Sequence, residues 1–146
     1  MQTVPSKCVY GKRAVASSSD HVVPRYHGGP DGSWNRVPVC IWCNRMLSCC
    51  LLASDGDTIG MLRWKKEQFL RSCWATLKRN WRWRLLSKED HWNWVRRGAW
   101  FQFLPNHLQK RYHDGCGCSP GRLVGKGKSA RWKFYRVKRA GASKVN

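Results

Sequence analysis

Cysteines are the residues of this chain whose spacing most clearly suggests chemistry. The sequence holds eight of them, at positions 8, 40, 43, 49, 50, 73, 116 and 118. Cys40-x-x-Cys43 has the spacing of a zinc-ligand pair, and Cys116-x-Cys118 is a candidate second pair. The adjacent thiols at 49 and 50 have poor geometry for one tetrahedral ion. Two interpretations stay open: zinc bound by Cys40, Cys43, Cys116 and Cys118, or buried thiols that need no cofactor. Because no signal-peptide core precedes them, we expect these thiols to be reduced.

Catalytic patterns are weak in this sequence. Eight acidic residues offer few carboxylate pairs, and neither His91 nor His107 has a recognisable nucleophile beside it in sequence. GRLVGKGKS, at 121–129, resembles a phosphate-binding loop, but five residues separate Gly121 from Gly127 where a P-loop has four. We therefore expect no enzymatic activity. The glycine-rich segment is instead predicted to approach nucleic-acid phosphates.

The charge predicts a polyanionic partner. Lys and Arg number 28 against eight Asp and Glu, a formal charge of +20. Nucleic acid is the commonest partner of such a chain, and an anionic membrane surface is the second candidate. No apolar run approaches the roughly 18–20 residues of a bilayer span, so we expect no membrane insertion.

Charge and tryptophan are concentrated after residue 60. Residues 61–146 carry 22 of the basic residues and eight of the ten Trp. The sequence therefore predicts an irregular N-terminal extension over 1–60 and a basic RNA-binding region over 61–146, with a boundary in DGDTIG at 55–60. The first thirty residues, basic and Ser-rich with one acidic residue, are typical either of an organelle-transit segment or of a loop-rich extension.

Apolar periodicity predicts a mainly α fold with irregular extensions. Apolar residues recur at spacings of three and four in one stripe, Leu70, Cys73, Trp74, Leu77, Trp81 and Leu85. They predict one helix over 61–86, capped by Asp57 or Thr58. A second helix should start at Ser87 and run to about Phe103, before the Leu104-Pro105 stop. Residues 1–39 are predicted to be irregular, with at most a strand at 21–23. We expect a short helix or a buried segment at 41–53. Residues 116–129 should form a loop, and residues 130–140 a short basic helix.

The interleaving of Trp with Arg in this region predicts RNA contacts, with packing of the Trp against the two helices and the N-terminal extension as the alternative. Trp81 lies on the apolar stripe and Trp83 does not, and one helix cannot bury both Trp92 and Trp94. Bases stack on indole, and guanidinium pairs with phosphate. The stacking candidates are Trp83, Trp94 and Trp132. The candidate RNA-binding cations are Arg79, Arg82, Arg84, Arg96, Arg97, Lys110, Arg111, Arg122, Lys126, Lys128, Arg131, Lys133, Arg136, Lys138 and Arg139.

The order of these features resembles a known family over about 61–142. The resembling residues are the helix start Ser87, Glu89, Asp90, Trp92, Asn93 and Val95, the turn Leu104-Pro105, the run Lys110, Arg111 and Cys116, the loop Gly121, Arg122 and Gly125, and the final Ser129, Arg131 and Arg136. This series is similar to the bacterial and organellar form of the universal small-subunit ribosomal protein family numbered fourteen. The second helix is about one turn longer here, the loop after Arg122 is shorter, and the ending differs.

The resemblance implies a structural role in the head of a small ribosomal subunit. It implies rRNA and neighbouring head proteins as partners, with neither a membrane nor a free homo-oligomer. The divergence suggests a mitochondrial ribosome in the matrix, with another organelle or the cytoplasm as the alternative. One branch of the family holds zinc with two C-x-x-C pairs around the Gly-Arg loop, and this chain lacks the second pair. A zinc-containing nucleic-acid-binding or regulatory ribonucleoprotein factor is the alternative function.

Overall fold

The mainly α class is confirmed by the computed structural model, which describes residues 5–11 and 15–116. Two strands, Ser18–His21 (β1) and Arg36–Val39 (β2), precede five helices. The helices are Ile41–Leu47 (α1), Ile59–Arg79 (α2), Trp81–Leu85 (α3), Lys88–Arg96 (α4) and Asn106–Cys116 (α5). Short 3-10 turns lie at Arg25–His27, Ser33–Asn35 and Trp100–Phe103. The predicted basic helix at 130–140 lies outside the described residues.

The N-terminal segment is more regular than predicted. β1 pairs antiparallel with β2, with Ser18 opposite Val39. The long connection between them is held by buried Asn35, whose side chain accepts from the Val23 N–H at 2.9 Å and donates to the Val23 carbonyl at 3.0 Å. The prediction of an irregular segment over 1–39 is therefore wrong at β1 and β2, whereas the short helix predicted within 41–53 is present as α1. Strands of four residues that contain Ser and Pro show too little alternation of apolar and polar residues for the strands to be recognised from the sequence.

One apolar core spans the change in composition near residue 60. Val39 and Met46 from the N-terminal part pack in the same buried cluster as Phe69, Leu77 and Trp100. The boundary that the sequence marks is thus a boundary of charge, across which apolar packing is continuous. In the described ranges, 5–11 and 15–116, no helix has the length and apolarity that crossing a membrane demands.

The predicted helix over 61–86 is two helices, α2 and α3. Its start is confirmed, because the Thr58 side chain accepts from the Met61 N–H and caps α2. Asn80 then leaves helical geometry, at φ −74° and ψ 114°, and its side chain caps α3 by accepting from the Trp83 N–H. This break rotates the helical faces that follow it. Trp83 is consequently buried at 4% exposure, whereas Trp81 is 65% exposed, the reverse of the prediction.

α4 begins as predicted but ends earlier. Ser87 caps it by accepting from the Asp90 N–H at 3.1 Å. The helix ends at Arg96, because Gly98 adopts φ +67°, a conformation that glycine adopts without strain. The segment up to Phe103 continues as a 3-10 turn, and Leu104 is extended at ψ 154° before Pro105.

Candidate metal centre and basic groove

Three thiols, Cys8, Cys40 and Cys43, form a buried group that could hold a metal ion. Their Sγ atoms all lie within 4.8 Å of one another. Tetrahedral zinc with Zn–S bonds of about 2.3 Å separates its sulfurs by about 3.8 Å. A small inward movement of the side chains would therefore close the group on one ion.

The hairpin and α1 position these thiols. Cys40 is the N-cap of α1 and follows β2 directly, and Cys43 lies in the first turn of the helix. Cys8 is brought to them across 32 residues of sequence, because the N–H of Val9 donates to the carbonyl of Pro38 in β2 at 3.0 Å. The cluster is thus a tertiary feature that depends on pairing between the first residues and the hairpin.

The surroundings act on the thiol pKa values in opposite directions. Burial would raise the pKa of Cys8, but backbone N–H donors from Cys40, Gly11 and Tyr10 outweigh it and hold that pKa below its ordinary value. At Cys43 burial dominates, and the neighbouring thiols Cys40 and Cys8 raise its pKa further. A bound cation would favour the thiolate form at all three positions.

The predicted composition of the metal site is therefore wrong in part. Cys40 and Cys43 do lie together, but their partner is Cys8, which the sequence analysis missed. Cys116 lies instead at the end of α5, with its Sγ 3.1 Å from the Sγ of Cys49. Cys118 lies outside the described residues. No second Cys or His stands at ligand spacing from Cys8 in the sequence, so the sequence gives no signal for its role.

A groove of about 940 Å³ lies against the thiol group. Cys40, Cys43 and Gly11 form part of its wall. Its basic lining is Arg71, Lys78, Arg79 and Lys88, and its aromatic lining is Tyr10, Trp42, Trp74, Trp83 and His91. No Asp or Glu of the described residues lines it. Four cations without a lining carboxylate give this groove a positive lining that would favour an anion, although Arg71 is paired with the Glu67 carboxylate.

The predicted RNA-binding cations are exposed but spread over several faces. Those within the described chain, Arg79, Arg82, Arg84, Arg96, Arg97, Lys110 and Arg111, are all exposed. Arg79 lines the groove, Arg96 and Arg97 line a second depression between α1 and α4, and Lys110 and Arg111 line a third beside α5. The remaining eight, from Arg122 to Arg139, lie outside the described residues. Sequence reasoning missed Lys78 and Lys88, whose grouping depends on how α2 meets α4.

Of the predicted stacking residues, Trp83 is contradicted by its burial. Its ring stacks on His91 at 4.4 Å and meets Phe103 edge-on at 5.1 Å, so the imidazole already holds the place of a stacked base on one face, although the residue also lines the groove. Trp94 is half-buried and packs edge-on against Phe103 at 5.0 Å. Trp132 lies outside the described residues. The exposed indoles are instead Trp34, Trp64 and Trp81, and the Arg82 guanidinium lies 5.5 Å from the Trp81 ring centre.

His91 has a structural contact that accounts for its position. Its Nε2 lies 2.6 Å from the carbonyl oxygen of Trp83, which ties α4 to α3. His107 is exposed at the start of α5. No protein-family model, curated protein or solved structure matches the chain.

Proposed function

We propose that this chain is a zinc-stabilised RNA-binding protein with a structural role. The observation that carries the proposal is the groove, which combines four cations, no lining carboxylate and an aromatic wall beside the thiol group. Phosphates pair with the cations, and unpaired bases stack on aromatic side chains. The overall charge of +20 supports the same class of partner.

The groove suits unpaired nucleotides better than a duplex. Its volume of about 940 Å³ falls in the range of small-ligand pockets, which a double helix cannot enter. Half-buried Trp74 lines the groove and stands on α2 between the lining cations Arg71 and Lys78 in sequence, at helical spacings of three and four that place all three on one face. The proposed ligand is therefore a single-stranded segment, such as a loop or bulge of a structured RNA.

Zinc is the metal that this donor set favours. Three thiolates are soft ligands, and zinc takes Cys-rich tetrahedral sites without redox chemistry. The ion would tie Cys8 to the start of α1, next to the groove. In this proposal zinc stabilises the wall of the RNA site and takes no part in a reaction.

The test compares two charge-matched double variants by fluorescence anisotropy with a labelled single-stranded RNA. Arg79→Gln with Lys88→Gln removes two cations that line the groove. Arg63→Gln with Lys7→Gln removes two exposed cations that do not. We expect the groove variant to bind more weakly and to lose about 0.7 from the salt slope for each phosphate contact removed. Equal losses in both variants would show that binding is distributed over the surface and would contradict the groove.

Membership of a small ribosomal subunit is a second, more specific candidate. The motif from Ser87 to Pro105 favours it, since Ser87 caps α4 and Leu104-Pro105 follows an extended break, as the resemblance implies. Ultraviolet crosslinking in cells, followed by sequencing of attached RNA, tests it. Reads concentrated in the head of an organellar small-subunit rRNA would support it, and reads scattered over messengers would contradict it while leaving RNA binding intact.

A further inference from the structure

We infer that the Cys8–Cys40–Cys43 site holds its ion with three thiolates and leaves a fourth coordination position open toward the groove. The open position takes a donor from solution, such as water, which a nitrogen or sulfur ligand can replace. This inference rests on the metal part of the proposed function and is independent of whether the groove binds RNA.

The two ligand segments have the same local geometry. In Cys40-x-x-Cys43 the N–H of Cys43 donates to the Sγ of Cys40 at 3.5 Å. In Cys8-x-x-Gly11 the N–H of Gly11 donates to the Sγ of Cys8 at 3.2 Å. Each segment therefore curls around its first sulfur, and residue 11 occupies the place that Cys43 has in the other segment. A tetrahedral site built from two such segments would have its fourth thiol at residue 11.

The space at residue 11 agrees with this correspondence. A Cβ added to Gly11 would lie 3.3 Å from the Sγ of Cys43, 3.5 Å from that of Cys8 and 3.9 Å from that of Cys40. That point is close to all three sulfurs, so a side chain there would reach the same ion. Gly11 is not among the residues with positive φ, which means that a cysteine can adopt its backbone conformation. Glycine thus leaves a ligand position unfilled.

The described residues offer no substitute for the missing ligand. Among them the group of close ligand atoms comprises three Cys and no His, Asp or Glu. Outside the described ranges the sequence contains one residue of these types, Cys118. The chain therefore leaves two sources for the fourth donor, Cys118 or a ligand from solution.

The position of the groove favours the ligand from solution. Gly11, Cys40 and Cys43 all line it, so the side of the cluster where a fourth donor belongs adjoins an open cavity. The cavity, at about 940 Å³, has room for a small donor molecule beside the buried sulfurs. We therefore assign the fourth position to an exogenous donor.

The test uses the full chain loaded with one equivalent of Co²⁺ and titrated with imidazole while the d–d absorption is recorded. We expect imidazole to shift the spectrum of the wild-type chain and of Cys118→Ser, because both keep the open position. Gly11→Cys should bind Co²⁺ about tenfold more tightly and show no response to imidazole, because the added thiolate fills the position. Gly11→Ala, whose added Cβ would lie in the same position without a donor, should also lose the imidazole response but without the gain in Co²⁺ affinity.

Two results would overturn the inference. A wild-type spectrum that does not respond to imidazole, with a response that appears only in Cys118→Ser, would assign the fourth position to Cys118. Failure of the wild-type chain to bind Co²⁺ through Cys8, Cys40 and Cys43, shown by unchanged spectra in their Ser variants, would remove the site itself. Neither readout depends on RNA, so loss of RNA binding would test the proposed function separately.

Discussion

Lys66 is a charged residue of α2 buried in the core, with 1% of its side chain exposed. Its Nζ donates to the Asp20 carboxylate at 2.9 Å and to the His21 carbonyl at 3.0 Å. The Tyr10 hydroxyl donates to the same carboxylate at 3.1 Å. Burying both charges costs free energy that their attraction must offset, so the removal of one partner is more damaging than the removal of both.

Lys66→Met should therefore reduce the free energy of unfolding by about 3–5 kcal/mol, because it leaves the Asp20 carboxylate buried without its cation. Asp20→Asn combined with Lys66→Met should restore part of that loss. Urea unfolding of the zinc-loaded full chain measures both. Lys78→Gln, an exposed change about three turns further along the same helix, is the control and should stay within about 0.5 kcal/mol of the wild type. A double variant less stable than the single one would contradict the account of this pair.

The lowered pKa of the Asp57 carboxyl predicts how the free energy of unfolding falls as the pH becomes acidic. Burial would raise the pKa of its carboxyl, but hydrogen bonds from Lys65 and from the Ser54 N–H, each 2.6 Å long, hold the pKa below its ordinary value. A carboxyl with a lowered folded pKa stabilises the protein above its unfolded pKa and loses that contribution as the pH falls through the folded pKa. Asp57→Asn should thus show a smaller difference in unfolding free energy between about pH 7 and pH 3 than the wild type. An unchanged difference would contradict this role.

At the scale of elements, Asn80 separates α2 from α3 through two contacts. Its side-chain oxygen accepts from the Trp83 N–H at 3.1 Å, and its side-chain nitrogen donates to the Phe103 carbonyl at 2.8 Å. Asn80→Ala should destabilise the chain by about 1–3 kcal/mol, because it removes a helix cap and leaves a carbonyl without its donor. Asn80→Asp keeps the cap and loses the donor. Its midpoint of thermal unfolding should therefore lie between those of the wild type and Asn80→Ala. Equal stability of all three would show that the break has another cause.

The break at Asn80 also predicts opposite effects for two neighbouring tryptophans. Trp83→Ala should cost about 3–5 kcal/mol of unfolding free energy, because the indole is buried between His91 and Phe103. Trp81→Ala should leave both stability and RNA binding nearly unchanged, because its ring is exposed and lies outside the lining of the groove. Chemical unfolding and RNA anisotropy on both variants check the pair. A Trp81 variant that unfolds as easily as the Trp83 variant would contradict the assigned faces.

What the sequence could predict at this scale was local. The caps at Thr58 and Ser87 were predictable because each depends on residues within one turn, whereas the helix expected to reach Leu104-Pro105 ends earlier, at Arg96 before Gly98. The faces of Trp81 and Trp83 were not predictable, because the Asn80 side chain reaches Phe103, 23 residues away. The hairpin and the role of Cys8 likewise depend on pairing between distant segments, as in the contact from Val9 to Pro38.

At the scale of the whole molecule, the candidate metal centre at Cys8, Cys40 and Cys43 would, with an ion bound, join the first residues to the hairpin and α1. The β1–β2 pairing is short, with four residues in each strand, so it supplies few backbone hydrogen bonds. Removal of the ion by a chelator should therefore lower the thermal midpoint, with the loss concentrated in residues 5–47. Hydrogen exchange resolved by segment checks this expectation. Uniform protection before and after chelation would contradict a stabilising role for the ion.

The most direct measurement of the central claim is the zinc stoichiometry of the intact chain by native mass spectrometry. The account predicts one zinc in the wild type, loss of that zinc in Cys8→Ser, and one zinc retained in Cys116→Ser. Cys8 lies in the thiol group and Cys116 lies beside Cys49, so the two variants separate the site seen in the structure from the one predicted by sequence. Zinc retained in Cys8→Ser and lost in Cys116→Ser would contradict the account.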